Sequence, residues 1–197
     1  TFDYNNIDSY FNDFIGENNE NSPDDKEFYR TENKNQWNSS MVSDNKDIIC
    51  WNSTVSSSIF SFYENVGAGR YVTSSPDDSL YGLRALLSVK YIYNKDNEWL
   101  NTKLYSSDNV NTIYENVDFL PMGFGYDNYI SESEYQALPV ENRHLVLLKA
   151  LVLSDEDVQK YNSLLKKLDS SELENLNYEL FKQDINERRK VVCNNFQ

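Results

Sequence analysis

The sequence predicts an α+β fold (mixed α/β), with a small sheet and flanking helices in the first two thirds of the chain and a helical last third. In the first part, short runs of β-branched and aromatic residues alternate with segments of helical spacing. From Ser131 onward, apolar residues recur at three- and four-residue intervals. Aromatic residues form 14% of the 197 positions, enough apolar surface for a core without disulfide support.

The pattern divides the chain into four regions, which we expect to form one compact domain. They are an N-terminal helix over residues 1–16, a polar linker over 17–26, an α/β portion over 27–130 and a helical portion over 131–197. The first helix rests on the helical spacing of Ile7, Tyr10, Phe11, Phe14 and Ile15.

Strands and turns of the α/β portion follow from local composition. We expect strands at 28–31, 48–51, 89–93, 103–105 and 112–114, a loop over 33–47, and a turn feeding an extended segment over 119–129. A helix is predicted over 59–66, ending at Gly67. The clearest helix start is Ser75, Pro76, Asp77 and Asp78, which combines a cap, a proline and two acids.

Start signals also define the helices of the last third. Capping boxes are expected at Ser131 with Glu134 and at Ser171 with Glu174. Pro139 is expected to open a helix that runs through His144 and Leu151. A further helix, capped by Ser154 and the acids after it, is expected to carry Val158, Tyr161, Leu164, Leu165 and Leu168. The last helix is expected to carry Leu173, Leu176, Leu180 and Ile185.

The charge balance limits the classes of partner. Acidic residues outnumber basic ones 32 to 18, for a net charge of -14, so we expect no nucleic-acid partner. No segment approaches the roughly 20 apolar residues that a membrane-spanning helix needs. The chain opens at Thr1 without a signal peptide and closes at Gln197, and both ends are interpreted as cuts within a longer protein.

Catalytic and metal-binding candidates each have a structural interpretation that we favour. His144 lies on an apolar helical stripe, so it is interpreted as a core or boundary imidazole. Paired carboxylates could serve a glycosidase or a metal site, but helix capping or solvation explains them: Asp24-Asp25, Asp77-Asp78 and Asp155-Glu156-Asp157. The segment Gly67-Ala68-Gly69-Arg70 is short and lacks the pattern that follows a phosphate-binding loop, so a phosphate cradle there is a less favoured interpretation. We therefore assign no catalytic residue, no metal ligand and no cofactor.

Aromatic and cysteine residues leave alternatives open. Trp37, Trp51 and Trp99 could stack on sugars, although core and loop packing is the favoured interpretation. The sequences at Asn38 and Asn52 fit the rule for glycosylation acceptors. Cys50 and Cys193 could form a disulfide or remain two thiols. A soluble hydrolase that uses an acid pair is a further, less favoured possibility.

Several segments together resemble the extracytoplasmic region of the YfhO family of bacterial integral membrane proteins. They are 28–30, 59–67, 78–92, 120–127 and 148–153, and the resemblance covers about residues 26 to 196. The most specific piece is the leucine-rich helix followed by the strand Val89-Lys90-Tyr91-Ile92.

The resemblance implies a function for the full-length protein. The family resembles GT-C glycosyltransferases, which move sugar from polyprenyl-phosphate donors onto cell-wall polymers such as teichoic acids. We therefore expect a soluble accessory domain on the extracytoplasmic face of the membrane. Its expected partners are the remainder of its own membrane-embedded chain and a cell-wall glycan or lipid-linked sugar. The alternative is a stand-alone, non-enzymatic carbohydrate-binding module of the cell surface.

Overall fold

A computed structural model describes residues 23–41, 45–94, 101–108, 112–174 and 176–195, without the side chains of 189–195. The predicted helix over 1–16, most of the linker and Trp99 lie outside the described residues. The described part contains both helices and sheets, so the predicted α+β class is confirmed.

Three small sheets organise the described residues. The largest has the strand order β1-β4-β6-β5, with β1 (Arg30–Asn33), β4 (Val89–Tyr93), β5 (Thr102–Ser107) and β6 (Thr112–Asn116). A two-stranded sheet pairs β2 (Cys50–Trp51) with β3 (Thr73–Ser74). The third has the order β8-β7-β9, with β7 (Asn128–Ser131), β8 (Leu151–Leu153) and β9 (Lys166–Lys167).

Strand β4 lies in the interior of the largest sheet. It pairs in parallel with β1 and antiparallel with β6. Four of its five residues are buried, namely Val89, Tyr91, Ile92 and Tyr93. A strand buried on both faces reads as a near-continuous apolar run, which explains why the sequence signal at this strand was clear. The strands predicted at 89–93, 103–105 and 112–114 are confirmed.

Helices cover or connect the sheets. They are α1 (Ser57–Asn65), α2 (Tyr81–Leu86), α3 (Glu132–Ala137), α4 (Val140–Val146), α5 (Asp155–Tyr161), α6 (Ser171–Glu174) and α7 (Tyr178–Asn195). Helix α1 confirms the helix predicted near 59–66, and Gly67 follows it with a φ of 75°, a conformation that glycine adopts readily.

The helix start predicted at Ser75 is wrong. Helix α2 begins at Tyr81, and the acids before it serve other contacts. Asp77 accepts hydrogen bonds from the amide and hydroxyl of Ser79, which forms a turn. Asp78 instead binds the guanidinium of Arg84 through its carboxylate and its carbonyl oxygen. Tertiary contact therefore replaced the helix cap that the local sequence favoured.

The last third is broadly helical, with two short strands that the sequence did not reveal. Leu151, predicted to continue a helix, begins β8 instead, and β9 was not predicted. Both strands pair in parallel with β7. The capping box of Ser131 and Glu134 is confirmed, as is the Ser154 cap. The box predicted at Ser171 is wrong.

Helix ends account for the remaining differences in this third. Ser171 lies inside α6, where Asp169 accepts its amide and its hydroxyl. Helix α5 ends at Tyr161, so the leucines predicted to follow it on one face are not helical. The segment predicted as the last helix forms α6 and α7, with residues 176–177 between them outside either helix.

Apolar side chains from both parts of the chain share one core. A buried cluster brings together α2, the segment after β6, α4 and its C-terminal extension, and α7, and its members are Ala85, Leu120, Leu145, Leu148, Phe181 and Ile185. Within it, Tyr81 packs edge-on against Phe181 with ring centroids 4.9 Å apart. This cluster fixes helix α2, and with it the neighbouring strand β4, against the last third.

Candidate functional site

His144 lies in the core, as the sequence predicted. It is 3% exposed on helix α4, and the Tyr81 ring stands perpendicular to its imidazole, 5.3 Å away. Burial lowers the pKa of His144 to about 4, so the ring is neutral at physiological pH. His144 therefore contributes to the packing of the core as a neutral ring against Tyr81.

Each run of paired carboxylates has at least one member that is bound by a neighbouring group. Asp25 is hydrogen-bonded by Lys90, and this contact lowers the pKa of Asp25. At the start of α5, the backbone amide of Asp157 donates to the Ser154 hydroxyl, and the Asp157 carboxylate accepts from the same hydroxyl. Among the described residues, no group of acids, histidines or cysteines is arranged to hold a metal ion.

Two tryptophans are exposed to solvent, so the favoured prediction that they belong to the core is wrong for both. Trp37 is 50% exposed and Trp51 is 62% exposed. The side-chain amide of Asn38 ties their loops together, because it accepts from the Trp51 amide and donates to the Trp51 carbonyl oxygen. We call Trp37 and Trp51 the tryptophan pair. Two exposed indole rings on tied loops offer apolar faces to a ligand.

A pocket of about 410 Å³ opens between helix α1, strands β1 to β3 and the end of α2. We call it the arginine pocket, and its polar lining residues are Arg30, Asp47, Cys50, Ser58, Tyr63, Arg70 and Ser74. The rest of its wall is mainly apolar. This volume falls within the range of small-molecule sites in proteins, roughly 300–1,000 Å³.

Arg70 is the most unusual residue of the arginine pocket. The residue is only 8% exposed, and its Nη1 has no hydrogen-bond partner in the described part of the chain. Nη2 lies 3.4 Å from the sulfur of Cys50, and the guanidinium sits over the rings of Phe60 and Tyr63 at 5.9 Å. Within the described residues, no carboxylate forms an ion pair with Arg70.

Arg30 and Asp47 bring further charge to the arginine pocket. Arg30 donates from Nη1 to the Leu87 carbonyl oxygen, 2.9 Å away. The carboxylate of Asp47 accepts from the amides of Asn33 and Ile49 through Oδ1. It also accepts from the Ser39 hydroxyl through Oδ2, at 2.6 Å. The Asp47 oxygens are thus engaged with the loop between β1 and β2.

Replacing Asp47 with asparagine should stabilise the chain near pH 7 and have little effect near pH 4. Burial raises the pKa of Asp47 from 3.8 to about 6 in the folded state. The folded state therefore binds the proton more tightly, and the wild-type chain loses stability as the pH rises from about 4 to about 6. We expect a gain of about 1 kcal/mol in the free energy of unfolding above pH 6.

Urea titrations at several pH values, followed by circular dichroism, measure this difference. Glu156→Gln, on an exposed helix start, removes the same charge elsewhere and serves as the control. A difference between Asp47→Asn and wild type that does not vary with pH would contradict the assignment.

The basic groups of a second pocket, of about 180 Å³ near α7, already bind protein acceptors. Lys149 pairs with Asp184 at 2.9 Å. The guanidinium of Arg188 donates to the carbonyl oxygens of Gly125, Leu148 and Lys149. Because its basic groups are occupied, this pocket is a weaker candidate for a ligand than the arginine pocket.

Comparison with known families gives one match that covers nearly the whole chain. The model of the family described as bacterial membrane protein YfhO matches residues 4–195. The chain belongs to the YfhO family. Comparison with curated proteins found no match, and comparison with solved structures found none.

The described part of this YfhO-family chain has no helix that combines the length and the apolar character needed to cross a bilayer. Cys50 is a free thiol, and the side chain of Cys193 lies outside the described residues. The family match over residues 4–195 confirms the resemblance seen in the sequence. The reaction and the membrane face that the resemblance implies stay predictions.

Sequence reasoning did not find the arginine pocket of this YfhO-family chain. In the sequence, Arg70 is the end of a short glycine segment, and Arg30 is part of a predicted strand. The two arginines lie 40 positions apart in sequence, and no local motif links them. The one available signal was the presence of arginines at positions flanked by apolar and aromatic residues.

Proposed function

We propose that this chain is an extracytoplasmic accessory domain of a multi-pass membrane protein. The full-length protein would transfer sugar from polyprenyl-phosphate donors to cell-wall polymers such as teichoic acids. The observation that carries the proposal is the match of the YfhO membrane-protein family over residues 4–195. The domain's partner is then the membrane-embedded remainder of its own chain, and its task is to hold the acceptor polymer near the reaction.

The tryptophan pair supports a role in holding the acceptor. An exposed indole offers a flat apolar face on which the C–H face of a pyranose ring can pack. The net charge of -14 gives no long-range attraction to an anionic polymer, so contact has to come from such short-range surfaces. Trp37 and Trp51 are exposed enough to make it.

Changing both Trp37 and Trp51 to alanine should weaken acceptor use by the full-length protein. We expect kcat/KM for the wall polymer to fall roughly tenfold, mainly through KM, because the lost stacking is binding energy shared by ground and transition states. Transfer of labelled sugar from a polyprenyl-phosphate donor in membrane vesicles measures it.

Leu164→Ala is the matched control, because Leu164 is an exposed apolar residue in another part of the chain. Unchanged kinetics of the double tryptophan variant would remove the acceptor role. Full-length protein that transfers no sugar from any polyprenyl-phosphate donor would remove the glycosyltransferase assignment itself.

The exposed tryptophan pair also favours a second candidate, a stand-alone carbohydrate-binding module of the cell surface. Such a module binds glycan without help from a membrane-embedded part. Titration calorimetry with wall polymer separates the two candidates. Tight binding by this chain alone, together with a full gene that encodes no membrane spans, would favour the module.

A further inference from the structure

We propose that the arginine pocket binds the phosphate group of a small phosphorylated molecule. The inference rests on the pocket's own geometry and does not depend on the proposed sugar transfer. It begins from Arg70, a buried cation with an unused donor inside a cavity of about 410 Å³.

A buried guanidinium without a carboxylate is costly unless an anion satisfies it. Removing a cation from water carries a desolvation penalty that the surrounding rings of Phe60 and Tyr63 offset only in part. Lys149, by contrast, has a carboxylate partner in Asp184. Among the residues that the structure describes, Arg70 has no carboxylate partner and its Nη1 has no acceptor. An oxyanion in the pocket would supply the missing acceptor.

Other donors converge on the same space. Arg30 lines the pocket and forms no ion pair among the described residues, and its Nη1 bond to Leu87 leaves further N–H groups. Tyr63 and Cys50 also line the pocket. Two guanidinium groups suit a phosphate, which accepts several hydrogen bonds at once.

The Asp47 carboxylate would repel an anion in the pocket, but its oxygens are already engaged in other hydrogen bonds. Its two oxygens accept three hydrogen bonds from Asn33, Ser39 and Ile49, so they are held by the adjoining loop. Asparagine at this position should therefore strengthen phosphate binding. This gives the proposal a variant that moves affinity upward as well as one that moves it downward.

The rest of the wall defines the body that carries the phosphate. Helix α1 contributes Ile59 and Phe62, and Ile48 and Leu87 close the other sides. These apolar surfaces suit the carbon skeleton of a compact organic group. We therefore assign the pocket to small organic phosphates, free or as the headgroup of a lipid.

Cys50 provides a direct reporter in the unaltered chain. It is a free thiol that lines the pocket, 3.4 Å from Arg70. Glycerol phosphate or inorganic phosphate should slow the alkylation of Cys50 by iodoacetamide in a saturable manner, with peptide mass spectrometry locating the modified residue. Glycerol without phosphate should not protect it. Equal alkylation rates with and without saturating phosphate would overturn the proposal.

Substitutions then assign the binding to Arg70. Calorimetric titration should show a Kd for glycerol phosphate that rises about tenfold or more in Arg70→Gln and falls in Asp47→Asn. Lys160→Gln removes one positive charge from an exposed site outside the pocket and should leave the Kd unchanged. If Arg70→Gln and Lys160→Gln weaken glycerol phosphate binding equally, the net charge of the chain explains the effect and the assigned site is wrong.

Vesicles distinguish the two sources of the phosphate. Phosphatidylcholine vesicles doped with a monoalkyl phosphate should retain the chain in flotation if the ligand is a lipid headgroup. Protection of Cys50 by glycerol phosphate without flotation identifies a free ligand. If Arg70→Gln does not fold, Cys50 protection in the wild-type chain still decides the proposal.

Discussion

Replacing Glu32 with glutamine is expected to lower the free energy of unfolding by about 3 kcal/mol. Glu32 is fully buried on β1, and its carboxylate lies 2.5 Å from Nε of Arg84 and 2.9 Å from Nζ of Lys34. Arg84 is itself buried on α2. The amide keeps the shape of the side chain but removes the negative charge, so the Arg84 cation loses its main buried counterion.

A urea titration followed by circular dichroism measures this effect. Glu115→Gln, which breaks the largely exposed pair with Lys103, should cost less than about 0.5 kcal/mol. The apolar double variant Glu32→Leu with Arg84→Met should recover much of the stability, because neither charge is then buried alone. Similar small losses for Glu32→Gln and Glu115→Gln would show that the buried pair does not stabilise the fold.

Gly82→Ala is expected to destabilise the chain by about 1–3 kcal/mol, although alanine is the better helix former. Gly82 lies in helix α2 where that helix crosses α4. A Cβ at this position would stand 2.6 Å from Cδ2 of His144 and 3.0 Å from the His144 carbonyl oxygen. His144 is held by the Tyr81 ring, and its carbonyl belongs to helix backbone, so neither can move at low cost.

Thermal unfolding measures this loss, and Gly125→Ala provides the matched control. Apart from its chain neighbours, no described residue has an atom within 4 Å of a Cβ built at Gly125, so alanine there should change the unfolding temperature little. An increase in stability for Gly82→Ala would mean that the two helices are farther apart than described.

Local signals in the sequence were sufficient for elements whose stability is local. The capping box of Ser131 and Glu134 closes within one turn, and Gly67 ends α1 through its own backbone conformation. The sequence of strand β4 predicts a strand clearly, because both of its faces are buried. In each case the residues that decide the structure are neighbours in the sequence.

Long-range contacts explain what the sequence could not reveal. Asp78 has the composition of a helix start, but its contact with Arg84 and Lys34 fixes it outside the helix. Strands β8 and β9 form only because β7 is available as a parallel partner. The arginine pocket and the exposed tryptophan pair likewise depend on loops brought together from distant positions, for which a single sequence holds no periodic pattern.

The parallel pairing of β1 with β4 constrains the order in which the chain can fold. Glu32 precedes Arg84 by 52 positions, so their contact requires closure of a long loop that contains α1 and the β2–β3 sheet. Closing such a loop carries an entropic penalty that local helices avoid. Docking of α2 before β1 arrives would bury the arginine without its counterion. We therefore expect the arrival of β1 to be a late, rate-limiting event, and Glu32→Gln to alter refolding kinetics as well as equilibrium stability.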